Sequence, residues 1–123
     1  SPPHDDRISQ SNSYWRGEAR PFTILGHAAS SEDNVVTLIL WRNEATGMIT
    51  LTSISLTGPD GNGTNSTSVA FVSDETKTIS VAASGKGKEA GSLYQFNVSI
   101  TYLTPDGQEK VFVGAKPIVG RYS

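Results

Sequence analysis

The stretch Leu93–Leu103 (LYQFNVSITYL) alternates without a break: Tyr94, Phe96, Val98, Ile100 and Tyr102 share one parity, and Gln95, Asn97, Ser99 and Thr101 the other. Successive side chains of a strand point to opposite faces, so this pattern gives one buried and one solvated face. A single wet face is typical of antiparallel sheets, whereas parallel strands are covered on both sides and read as continuous apolar runs. The turn Thr104-Pro105-Asp106-Gly107 follows, with Pro presetting φ and Gly accepting a positive one. Lys110–Ala115 (KVFVGA) is then expected to return as the hairpin partner of the long strand.

Upstream, Pro21–Ala28 (PFTILGHA) places Phe22, Ile24 and Gly26 on one face. Asn34–Trp41 (NVVTLILW) is apolar at both parities, which predicts a central strand covered on each side with Trp41 in the core. In Met48–Thr57 the apolar positions Ile49 and Leu51 change phase to Ile54 and Leu56. A bulge near Thr52-Ser53 restores the inward register, or else the strand switches sheets there. Gly58–Thr64 (GPDGNGT) reads as the strongest loop, and Ser68–Val72 and Thr76–Ala82 as further strands. About seven strands at short spacing, with no convincing helical window, predict an all-β fold. Residues 20–123 are expected to form an antiparallel immunoglobulin-like β-sandwich, with a barrel as the alternative. Residues 1–19 are polar and aperiodic and read as an N-terminal arm or linker, with Tyr14 and Trp15 closing over the end of the core.

What the chain lacks narrows its function. Ten Lys and Arg against twelve Asp and Glu give a net charge of −2, and the basic residues are scattered, so no nucleic-acid surface is expected. There is no cysteine, hence no thiol nucleophile, thiolate metal site or disulfide. No apolar run approaches the ~18 residues that span a bilayer, so no membrane contact by these residues is expected. The two histidines, His4 and His27, stand apart in sequence, and no G-x-S-x-G or H-E-x-x-H motif occurs. Asp60-Gly61-Asn62-Gly63-Thr64 alternates oxygen donors with glycine but lacks the acidic count of a calcium loop. Gly85-Lys86-Gly87-Lys88 lacks the spacing of a phosphate loop. The expectation is a non-enzyme with no catalytic residue, no metal and no cofactor.

Three N-glycosylation sequons are present: Asn62-Gly63-Thr64, Asn65-Ser66-Thr67 and Asn97-Val98-Ser99. Asn62 and Asn65 fall in the expected loop, and Asn97 on the polar parity of the long strand, so all three could carry glycans outside the core. The aromatics Tyr14, Trp15, Trp41, Tyr102 and Tyr122 offer a second reading, a sugar-stacking platform.

The order of segments also resembles a family. It runs from Trp15-Arg16-Gly17-Glu18-Ala19 through PFTILG, an apolar strand ending at Asn43, ITLTSISLTGPDG, YQFNVSITY and a hairpin to Lys116-Pro117-Ile118-Val119-Gly120. This resembles the globular domain of archaeal type IV pilins and archaellin-like proteins over residues 15–121. The resemblance implies an immunoglobulin-like sandwich on the outside of a cell-surface filament, extracellular, often glycosylated, and serving adhesion, aggregation or motility. It also implies self-assembly with identical subunits through an apolar helix that these residues lack, and contact with surfaces or glycans. The competing expectation is a carbohydrate-binding or accessory module of a secreted protein.

Overall fold

The computed structural model describes residues 6–43, 47–59, 61–85 and 89–123. Helix α1 (Asp6–Gly17) comes first, then β1 (Phe22–Ala29), β2 (Val35–Arg42), β3 (Ile49–Gly58), β4 (Gly61–Asn65) and β5 (Val69–Phe71). These are followed by β6 (Thr76–Ala82), β7 (Ser84–Gly85), β8 (Leu93–Leu103), β9 (Glu109–Val113) and β10 (Ile118–Arg121). The strands form two antiparallel sheets packed as a sandwich. The smaller has the order β1-β2-β6; the larger runs β10-β8-β3-β4-β7, with β5 also pairing β3 and β9 also pairing β8.

The long alternating segment is the spine of the larger sheet. One flank of β8 pairs β3, and the other pairs β10 near its start and β9 near its end. Tyr94, Phe96, Val98 and Ile100 are buried and Asn97 is exposed, as the alternation demands. Gly107 adopts φ 87°, and the Gly107 amide donates to the Thr104 carbonyl at 2.9 Å, closing the β8–β9 turn. The phase change in β3 is a bulge: register with β8 shifts between Leu51 and Ser53, so Ile49, Leu51, Ile54 and Leu56 all face inward. The partner changes there too, from β5 before the bulge to β4 after it.

Opposite them, Val36, Leu38 and Leu40 of β2, Phe22 and Ile24 of β1, and Ile79 and Val81 of β6 complete the core. Each large aliphatic chain buried in this way contributes about 1.5–3 kcal/mol relative to exposure. Phe71 meets Phe22 edge-to-face at 5.5 Å and anchors the short β5 in the core.

Three expectations change. The N-terminal segment is not a loose arm: Asp6–Gly17 is a helix that buries Ser11 and Trp15. Its polarity hid it, because one large anchor at Trp15, not an apolar stripe, holds it to the sandwich. Gly61–Asn65 is a strand, not a loop. Its glycines face inward, and a Cβ at Gly63 would lie 2.0 Å from the Ala82 carbonyl oxygen, so glycine lets β4 close on β6. Finally, β2 is covered on one face only, since a two-layer sandwich supplies no third layer. Ile39 is 39% exposed, and Trp41 lies half-buried on the outer side, its indole N–H donating to Asp74 Oδ1 at 2.7 Å. Arg42 is buried instead, and its guanidinium donates to the carbonyls of Phe71, at 3.1 Å, and Gly47. Those bonds offset the cost of removing a charge from water.

Candidate functional site

Two surfaces gather polar side chains, and strand register builds the first. On the open face of the larger sheet, Thr57 pairs with Asn62 on one side and Asn97 on the other, which puts two of the sequons in one cross-strand row. The next row is Thr64, Ser55, Ser99 and Val113, and Ser53, Thr101 and Val111 form a third. Strand spacing of about 4.8 Å sets Asn62 and Asn97 roughly 10 Å apart. Ser55 and Thr64 hydroxyls bond at 3.1 Å, and Val111 and Val113 are 59% and 65% exposed. The three rows carry no charge. Asn65 stands apart from them. It pairs with the inward-facing Ile54, and its side-chain amide donates to the Ser80 carbonyl at 2.7 Å, tying β4 to β6 across the sandwich edge.

The second surface is a cleft where α1 crosses the ends of β1 and β10. Helix positions Ile8, Asn12 and Arg16, each four apart, share the face that lines it, while Ser11 and Trp15 point into the protein. Asp6 in the first turn and Arg16 in the last both suit the helix dipole. Two adjoining cavities of ≈ 730 and ≈ 370 Å³ share Ile8, Asn12, Arg16 and Arg121, and the smaller reaches His27 and Tyr94.

A second bulge brings His27 there. Register between β1 and β2 shifts between Ile24 and Gly26, leaving Leu25 as the extra residue. Ile24 opposes the inward Leu40; beyond the bulge His27 opposes the inward Leu38. Without Leu25, His27 would point to the outer face. It meets Tyr94 from the other sheet, ring centroids 5.5 Å apart and edge-to-face. His27 Nδ1 lies within hydrogen-bond reach of the Tyr94 hydroxyl, and that hydroxyl donates to the His27 carbonyl at 3.3 Å. Both contacts are satisfied when Nδ1–H donates to the phenol oxygen, which leaves Nε2 as a free acceptor. Burial lowers the His27 pKa, so the imidazole is neutral at pH 7. Burial, with the nearby Tyr122, pushes Tyr94 up to about 12, so its hydroxyl keeps its proton. Gly120 lies opposite Tyr94 on β10, where an added Cβ would sit 2.5 Å from the hydroxyl, so the phenol needs glycine there.

Asn62 and Asn97 are therefore exposed neighbours, as the sequon reading requires, but Asn65 does not join them. His4, Asp60 and Lys86–Lys88 lie outside the described residues. No group of three or more His, Asp or Glu fit to hold a metal occurs among the described residues. The aromatics do not make a platform: Trp15 and Tyr122 are buried, and Trp41 is on the opposite sheet from Tyr102. The cleft was not visible in the sequence, because Tyr94 reads as core and His27 reads as outward. The bulge at Leu25, which the alternation of Phe22, Ile24 and Gly26 does not reveal, is what turns His27 inward. Comparison with protein-family models, curated proteins and solved structures finds no match to this chain.

Proposed function

We propose that this domain is the displayed, non-catalytic head of an extracellular filament subunit of the archaeal type IV pilin kind, serving adhesion or aggregation. The observation that carries the reading is the uncharged Asn/Ser/Thr face of the larger sheet, with Asn62 and Asn97 exposed in one row. Apart from the exposed Val111 and Val113 at its β9 margin, the face presents hydroxyls and amides that stay hydrated, and glycans there would not disturb the core beneath.

The test is immunogold electron microscopy of native cells with antibodies against residues 20–123, together with mass spectrometry of sheared surface filaments. The reading expects labelled filaments and peptides of this chain in the sheared fraction. Labelling confined to the cell interior overturns it.

A further inference from the structure

The cleft between α1 and the ends of β1 and β10 is built independently of the open sheet face, and its charge is unbalanced. Arg16 and Arg121 both line it, and neither forms an ion pair with a described residue. Arg121 gives one N–H to the Gly91 carbonyl at 3.1 Å, which leaves most of its planar fork uncommitted. Asp6, the acidic side chain lining the larger cavity, sits ten residues from Arg16, about 15 Å along the helix axis, too far to neutralise it. The helix dipole accounts for Arg16 alone. It gives no reason for a second arginine, on β10, to line the same cavity.

The floor adds a second kind of chemistry. His27 Nε2 is an acceptor with no partner among the described residues, and the Asn12 side chain both donates and accepts. Two guanidinium groups beside a neutral imidazole acceptor and a carboxamide suit a ligand with a carboxylate at one end and hydroxyls at the other. Arginine's fork matches a carboxylate in two-point geometry, while a sugar hydroxyl can donate to Nε2. The smaller cavity, ≈ 370 Å³, has room for a monosaccharide.

We propose that this cleft is a binding site for an acidic sugar, a uronic-acid type of ligand held by Arg16 and Arg121 through its carboxylate and by His27 and Asn12 through its hydroxyls. Such a site recognises the ligand with side chains of α1, β1 and β10, not with stacked aromatics.

The experiment is NMR titration of the 123-residue chain with D-galacturonate, D-galactose and acetate in parallel. D-galacturonate is expected to shift the Asn12, Arg16, His27 and Arg121 resonances with a Kd on the order of 1 mM, usual for a ligand of that size. Galactose, without the carboxylate, and acetate, without the hydroxyls, should each bind roughly tenfold more weakly. Arg16→Gln and Arg121→Gln should each weaken galacturonate roughly tenfold while leaving the amide resonances of β6, in the other sheet and away from both arginines, unchanged. The proposal is overturned if galacturonate shifts no resonance, or shifts only residues outside the cleft. It is equally overturned if acetate or galactose binds as tightly as galacturonate, or if both variants bind it like the parent.

Discussion

Trp15 is 1% exposed and is the one large side chain that α1 buries, so replacing it tests how the helix is held. Its ring meets Tyr14 at 5.0 Å and Phe112 at 5.9 Å, and an added Cβ at Gly114 would lie 2.7 Å from it. Removing a buried aromatic of this kind costs about 3–5 kcal/mol. A 12-residue polar helix has almost no stability of its own. A domain of this length is stable by roughly 6–18 kcal/mol, taking 0.05–0.15 per residue. Trp15→Ala should therefore release α1 and leave the sandwich folded. In hydrogen exchange, amides of residues 11–17 should exchange near the unstructured rate while those of β8 remain protected. Trypsin should cut at Arg7 and Arg16, within α1, before any site within a strand. Trp15→Phe is the control. The indole N–H is buried without a hydrogen-bond partner among the described residues, a state that costs about 1–3 kcal/mol. Phe keeps an aromatic ring in place and removes that donor, so it should retain the helix. Full protection of α1 in Trp15→Ala, or simultaneous loss of helix and sheet, would refute this account of the anchor.

Deleting Thr52 removes the β3 bulge and turns Ile54 and Leu56 outward, so the variant should fail to fold, which circular dichroism and size-exclusion profiles will show. Gly120→Ala drives a methyl into the Tyr94 hydroxyl and should lower stability by about 1–3 kcal/mol in urea unfolding. Tyr94 has a folded pKa of about 12, above its unfolded value near 10. Its stabilisation is complete below pH 10 and is lost as pH rises towards 12. Tyr94→Phe should accordingly show a flatter decline of the denaturation midpoint between pH 10 and 12. Mass spectrometry of native material should find glycans on Asn62 and Asn97 and an unmodified Asn65, whose amide is committed to Ser80.

Period-two patterning made most of the larger sheet legible. The burial of β8, its turn at Thr104–Gly107 and the bulge at Thr52 all follow from side chains alternating over a single core. The same reasoning misplaced β4, because its inward positions are glycines, and glycine on a buried face looks like loop composition until the strand opposite is known. It missed α1 because a helix held by one tryptophan has no repeat to detect. The His27 side of the cleft escaped for a third reason: parity carried forward from Phe22 and Ile24 gives the wrong face once Leu25 is inserted. Trp41 and Arg42 show the limit of hydrophobicity as a guide to burial. The arginine is interior because carbonyl oxygens meet it there, and the tryptophan is outward because strand geometry leaves it no other side.

The way α1 joins the sandwich also has a mechanical consequence. Its C-terminal turn docks on the larger sheet: Trp15 packs on Phe112 and Gly114, and the Ala115 amide donates to the Tyr14 hydroxyl at 3.0 Å. The chain then continues through Ala19 into β1 of the smaller sheet. Tension applied through the helix is thus divided between the two layers, with the Trp15 contact loading one and the covalent path loading the other. Within the smaller sheet β1 pairs with β2 on both sides of the Leu25 bulge, so a pull along the strand axis loads several ladder bonds together instead of peeling them singly. The joint between helix and sandwich would thus share force between the sheets, with Trp15 the buried anchor on the larger one.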